Sequence, residues 1–124
     1  MKVKKFYEPV FKVTLLFIVG CSVNELKKYS DKKKIIIHEI EKMAGFTCIL
    51  EPIETKSKDG GIFTEHIMWI ENKKNFYDLL HESLHLVGQI FNERGIPIRK
   101  ENDEMMAIYQ EWWFKTLWRF MNKK

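Results

Sequence analysis

The segment from His81 to Gln110 constrains this chain more than any other. It opens with the pattern His81-Glu82-x-x-His85, and Glu104 follows nineteen residues after His85. Histidines four positions apart lie on one face of an α-helix, and this spacing lets both rings reach one Zn²⁺ at about 2.0–2.1 Å. Glu82 is on the same helix, where it can hold a water molecule at the metal and accept its proton.

Glu104 is the candidate for a third ligand. A carboxylate from a second helix would complete a set of two histidines and one glutamate, and it would leave the fourth position open. An open position is typical of catalytic zinc rather than structural zinc. The sequence therefore predicts Zn²⁺ at His81, His85 and Glu104, with Glu82 as the general base.

Residues 75–94 have the clearest helical pattern, with Asn75 as the expected N-cap. His81 and His85 lie next to the apolar stripe, so we expect both to be half-buried. Gly88 lies inside this helix and predicts the close approach of another backbone. The apolar stripe itself is formed by Phe76, Leu80, Leu84, Val87 and Phe91.

A second helix is predicted over residues 102–121, and Glu104 falls in its first turn, where the helix dipole favours a carboxylate. Apolar residues cover almost the whole circumference of this helix. A small domain can hardly enclose such a helix, which therefore needs a protein partner or a second copy of the chain. The predicted partner surface contains Trp112, Trp113, Trp118 and Phe120.

Strand patterns dominate the first 74 residues. Residues 10–19 are rich in Val, Ile, Phe and Thr and predict a buried strand. Two further strands are expected at residues 46–54 and 62–71, on either side of the polar turn Asp59-Gly60-Gly61.

One or two helices interrupt these strands. Ser22 and Glu25 fit a capping box that opens a helix over residues 23–33. Residues 35–43 fit either a helix or a buried strand, and the Ala44-Gly45 stop favours the helix. Together the elements predict an α+β fold in which a short antiparallel or mixed sheet packs on the His81 helix and on a C-terminal helix that carries a ligand.

Length and charge narrow the class of protein. A chain of 124 residues predicts one domain. The net charge of +4 comes from scattered lysines, which makes nucleic acid an unlikely partner.

No apolar run is long enough to span a membrane. The sequence Ile18-Val19-Gly20-Cys21 is similar to a lipoprotein cleavage box, but Glu8 and Pro9 disfavour export, and we expect a cytoplasmic protein.

These motifs resemble the gluzincin branch of the zinc metallopeptidases. The resemblance is carried by His81, Glu82, His85 and the segment Asp103-Glu104-x-x-Ala107. It implies a zincin-like core and cleavage of a peptide or protein substrate. It also implies that the strand before the active-site helix, residues 62–71, is an open edge that pairs with an extended substrate. His66 and Tyr109 are possible oxyanion stabilisers, although a packing role is favoured for each.

The chain is also similar to small zincin-like proteins encoded in bacteriophage genomes. This similarity leaves two functions open. One is a zinc hydrolase, most simply a metallopeptidase. The other is a virion structural or assembly component, at the head–tail junction, neck or tail, that keeps the fold without activity and docks through its aromatic C-terminal helix.

Overall fold

In the part of the chain that the computed structural model describes, four strands form one mixed sheet, in the spatial order β1-β2-β4-β3, and three α-helices cover it. The structure describes residues 1–37, 48–56 and 62–123. The predicted α+β class is confirmed. The strands are β1 (Lys2–Glu8), β2 (Val13–Val19), β3 (Cys48–Lys56) and β4 (Ile62–Ile70), and the helices are α1 (Val23–Lys33), α2 (Phe76–Glu93) and α3 (Asp103–Asn122), which follows a short 3₁₀ turn, Lys100–Asn102.

The two central strands are parallel. β2 pairs with β4 in a register that places Leu15 opposite His66, whereas the outer pairs β1–β2 and β3–β4 are antiparallel. A parallel pair needs a long crossover connection, and α1 lies in it. The prediction that residues 62–71 form an open edge is wrong, because β4 has a neighbour on each side. The edge strand next to β4 is β3.

Both faces of the central pair are buried, which explains its nearly continuous apolar sequence. Leu15, Phe17 and Val19 of β2 pack towards α2 and α3, together with Met68 and Ile70 of β4. The alternate residues pack under α1 instead; they are Leu16, Ile18, Ile67 and Trp69.

The helix α1 begins where the sequence predicts. Ser22 accepts a hydrogen bond from the backbone N–H of Glu25, and the Glu25 carboxylate accepts one from the backbone N–H of Ser22. This reciprocal capping satisfies two donors that the first turn would otherwise leave free. Leu26 fixes α1 to the sheet, since it is fully buried.

The first strand was not predicted. It carries Lys2, Lys4 and Lys5 and is an edge strand, where lysine side chains can remain in water. Phe6 on its inner face packs on Phe120 of α3 with ring centroids 5.6 Å apart. Lys2 donates a hydrogen bond from Nζ to the backbone oxygen of Phe120 over 3.3 Å. The next strand starts at Val13 rather than at residue 10 because the chain turns over residues 9–12.

Two predicted elements fall partly or wholly outside the described residues. The helix expected over residues 35–43 is not formed at residues 35–37, and its remainder lies outside the described residues. The turn at Asp59-Gly60-Gly61 lies outside them as well. Within the described parts of the chain, each helix is too short or too polar to cross a bilayer.

The buried face of α2 differs from the predicted stripe. Its centre is formed by Leu79, Ser83, Leu86 and Ile90, whereas Phe76, Leu80 and Leu84 are 41%, 42% and 48% exposed. The helix is therefore rotated relative to the prediction. Gly88 lies away from the sheet, and no described atom outside the helix lies within 4 Å of the position that a Cβ would occupy.

Trp113 belongs to the core rather than to a partner surface. Its side chain is fully buried, whereas the neighbouring Trp112 is 42% exposed. The two rings meet edge to face, with centroids 5.0 Å apart. The prediction that Trp113 contacts another protein is therefore wrong, because this chain's own sheet and helices already enclose it.

We expect Trp113→Ala to lower the free energy of unfolding by about 3–5 kcal/mol, because it leaves a large cavity in the core. Trp112→Ala is the matched control and should cost about 1 kcal/mol or less. Urea unfolding followed by circular dichroism measures both. Equal losses in the two variants would contradict the placement of Trp113 in the core.

Candidate metal site

The site is built on α2, which begins immediately after the central strand β4. Asn75 caps the helix, and its side-chain oxygen accepts a hydrogen bond from the backbone N–H of Asp78 over 3.0 Å. The loop between β4 and α2 is short, so the sheet fixes where the first turn of the helix lies. His81 and His85 follow in the second and third turns.

The two histidines converge on each other. Their Nε2 atoms are 3.1 Å apart, at hydrogen-bonding distance, and their ring centroids are 4.6 Å apart with the planes at 75°. Both side chains are exposed, so the expectation that they are half-buried is wrong. They lie on the outward side of α2 because the helix turns Leu79, Ser83 and Leu86 towards the sheet.

This convergence fits a shared metal ion. Two nitrogens bound to one tetrahedral Zn²⁺ at 2.0–2.1 Å are about 3.3 Å apart, close to the separation of the two Nε2 atoms. Neutral imidazole is a common ligand of zinc. The pair therefore offers two of the four donors that the ion requires.

Glu82 lies on a different side of the helix from the two rings. It is 7% exposed, which places its side chain between α2 and the neighbouring part of the fold rather than in bulk solvent. The carboxylate is not free, because it takes part in interactions within the fold. The carboxylate is one residue from His81 in the chain, and a carboxylate fixed in this way suits a group that accepts a proton.

Glu104 lies at the far end of an antiparallel helix pair. Phe76, near the start of α2, packs on Phe114 of α3, and Phe91, near the end of α2, stacks on Tyr109 with ring centroids 6.0 Å apart. From that second contact, His85 is six residues back along α2 and Glu104 is five residues back along α3. At 1.5 Å per residue the two are about 16 Å apart along the helix axes.

The histidines and Glu104 are also separated by the direction in which the side chains leave the helix axis. Successive residues of an α-helix turn by about 100°. His81 and His85 therefore lie roughly 110–150° around α2 from the side on which Phe76 and Phe91 contact α3. An α3 side chain would have to reach around α2 to meet the two rings.

Among residues 1–37, 48–56 and 62–123, no three His, Cys, Asp or Glu side chains come together in a way that could hold a metal ion. The structure thus brings together His81 and His85 but does not bring Glu104 to them. The complete ligand set remains a prediction from the sequence.

His66, one of the two possible oxyanion stabilisers, is buried beneath the last turn of α2. It is 1% exposed, and its Nε2 lies 3.0 Å from a carboxylate oxygen of Glu93. Burial lowers the pKa of His66 and outweighs the opposing effect of Glu93, so the neutral ring donates its Nε2–H to that carboxylate. Glu93 is eight residues, about 12 Å, beyond His85, which favours the structural role for His66.

Tyr109, the other candidate, lies in the core. Its ring packs edge to face on Phe11 with centroids 5.0 Å apart and stacks on Phe91. Burial raises the pKa of its hydroxyl group far above the ordinary value. Phe91 is about 9 Å beyond His85 along α2, so Tyr109 also fits the packing role better.

The predicted partner surface is divided among three environments. Trp118 packs on Phe76 with centroids 5.6 Å apart, and Phe120 packs on Phe6. Trp112 is the large aromatic residue of the predicted four that is most exposed. It lines an apolar groove of about 660 Å³ between α3 and the turn that joins β1 to β2, together with Pro9, Val10, Phe11, Met105 and Ile108.

Sequence reasoning missed the surroundings of the histidine pair. Leu80 and Leu84 were assigned to the core, but they are 42% and 48% exposed. The sequence did contain a signal: α2 has no lysine or arginine over eighteen residues, although the chain as a whole is basic. A helix without basic residues carries no positive charge that would repel a cation near the two rings.

Comparisons with protein-family models, with curated protein sequences and with solved structures gave no match. Functional interpretation therefore depends on the side chains of this chain and their geometry.

The buried His66 makes stability depend on pH. Its pKa is lower in the folded chain than the ordinary value of 6.5, so the unfolded chain binds a proton more readily just below that pH. The contribution of His66 to the free energy of unfolding should therefore be complete above pH 6.5, and the free energy of unfolding should fall as the pH drops below that value. Urea unfolding between pH 5 and 8 measures this slope.

The slope should be shallower in His66→Gln, which removes the titrating group. His81→Ala is the matched control, because it removes an exposed imidazole in place of the buried one. Identical slopes in the wild type and His66→Gln would rule out this origin of the pH dependence.

Proposed function

We propose that the protein is a zinc-dependent hydrolase of the metallopeptidase type, with a zincin-like arrangement of its core. The observation that carries the proposal is the 3.1 Å convergence of the Nε2 atoms of His81 and His85 on the exposed side of α2. The buried Glu82 between them in sequence supplies the carboxylate that such chemistry needs. The proposed cofactor is Zn²⁺, held by the two histidines.

Bound zinc would supply Lewis-acid chemistry, which polarises a carbonyl group and makes water acidic enough to react near neutral pH. His81 and His85 would hold the ion through neutral rings. Glu82 would orient the attacking water, accept its proton and pass that proton to the departing amine. Because Glu82 is largely shielded from solvent, bulk water competes little for its carboxylate.

An extended peptide substrate would pair with β3, the edge strand next to β4. The backbone groups on the outer side of an edge strand can form hydrogen bonds with an added strand. Such a strand would extend the sheet beyond β3, at the edge nearest to α2, which contacts both β3 and β4. The assignment replaces β4, which has no free edge.

A second proposal, a virion structural or assembly component without activity, is supported by one observation. Met105, Ile108 and Trp112 are 41%, 59% and 42% exposed on one side of α3, next to the groove described above. A partner that buries these side chains would explain them. Loss of assembly in Trp112→Ser, in a chain that binds no zinc, would favour this proposal over the hydrolase.

Zinc affinity tests the metal site directly. We expect His81→Ala and His85→Ala each to weaken Zn²⁺ binding by more than about 100-fold, because loss of even a supporting contact to a ligand costs 10–100-fold. Competition with a chromogenic chelator measures the affinity. His66→Gln is the control, because it also removes one histidine but outside the proposed site. It should bind Zn²⁺ with the affinity of the wild type. Equal affinity in all four proteins would overturn the proposal.

A second pair of variants distinguishes the role of Glu82 from that of Glu104. We expect Glu82→Gln to retain zinc and to lose peptide hydrolysis by about 10²–10⁴-fold, the usual contribution of a general base. Glu104→Gln should leave zinc affinity unchanged, because Glu104 lies far from the two rings. A loss of affinity in Glu104→Gln as large as that in His81→Ala would show that the ligand set predicted from the sequence is right.

A further inference from the structure

The histidine pair carries two of the four donors that a tetrahedral zinc ion takes. His81 and His85 provide two donors in the correct relation, and the described residues bring no third metal-binding side chain to them. Zinc in proteins is almost always bound by four donors in structural sites and by three protein donors in catalytic ones. The exposure of both rings means that further donors can approach from outside the chain.

The surface around the pair suits the approach of another helix. Leu84 and Tyr77 are 48% and 79% exposed on the same outward side of α2, and both would gain from burial. Gly88 lies one turn beyond His85, and no described atom outside the helix approaches its missing Cβ. A small residue at that point lets a second helix come close.

We propose that two copies of this chain share one Zn²⁺, each supplying His81 and His85, so that the two α2 helices cross at the metal. A twofold axis through the ion makes the contact self-complementary, which is the commonest symmetry of protein dimers. Four imidazoles then complete a tetrahedral set. The same two residues serve both copies.

The shared ion makes this contact depend on the metal. The two copies are joined by the bonds from His81 and His85 of each chain to one Zn²⁺, so the dimer should form with zinc and separate without it. The helix α2 has no lysine or arginine that would repel the cation.

This inference rests on the proposed function, because it uses the same two ligands, and it adds a regulatory step. A site filled by four imidazoles has no position for water or a carbonyl oxygen, so the shared state would be inactive. When zinc is scarce relative to the protein, chains share it and hydrolysis stops. Separation of the copies reopens the site.

The test is the mass of the full chain during a zinc titration after the metal has been removed with a chelator. Sedimentation velocity should show a rise from 15.0 kDa to twice that value, complete at one Zn²⁺ per two chains. His81→Ala and His85→Ala should remain monomeric at every zinc concentration. His66→Gln is the control, since it removes a buried histidine elsewhere, and it should dimerise like the wild type.

Gly88→Gln gives a second test that keeps both ligands. A long side chain at that position should obstruct the second helix, so this variant should bind zinc but stay at 15.0 kDa. Wild-type chain that binds one Zn²⁺ per chain and remains monomeric would overturn the shared site while leaving the hydrolase proposal in place. Absence of any zinc binding would overturn both.

Discussion

The parallel pairing of β2 with β4 is the contact on which the rest of the structure depends. Neither strand can be exposed on either face where the two pair, because every side chain of residues 15–19 and 66–70 is buried and all but His66 are apolar. One face must therefore be covered by α1 and the other by α2 and α3. The same pairing leaves β1 and β3 at the two edges of the sheet. It also fixes the start of α2, and with it the side of that helix on which His81 and His85 emerge.

Features that depend on neighbouring residues could be predicted from the sequence. The start of α1 follows from the capping of Glu25 by Ser22, and the start of α2 follows from Asn75. Features that depend on distant residues could not. Leu80 and Leu84 are as apolar as Leu79 and Leu86, so periodicity shows that α2 has an apolar face but not how the sheet rotates it. The strand order could not be predicted for the same reason, since strand pairing is decided by contacts between segments far apart in the chain.

In the candidate site, too, contacts between neighbouring residues could be predicted and contacts between distant residues could not. The distance between His81 and His85 is set by one turn of helix, so their spacing in the sequence was sufficient to predict their convergence. The position of Glu104 depends instead on which side of α2 receives α3, and a separation of nineteen residues does not determine that. Packing of Phe76 on Phe114 and of Phe91 on Tyr109 decides it, and it turns the histidines away from α3.

Folding kinetics follow from the register of the central pair. Leu15 lies opposite His66, so the chain must close a loop of about fifty residues before the two strands can meet, at an entropic cost that grows with the logarithm of loop length. The β1–β2 hairpin and the α2–α3 pair have mostly local contacts and can form early. Until β2 and β4 join, however, neither has a complete apolar surface to pack against. Folding of this small chain should therefore be slow for its length, since closure of the central pair limits the rate.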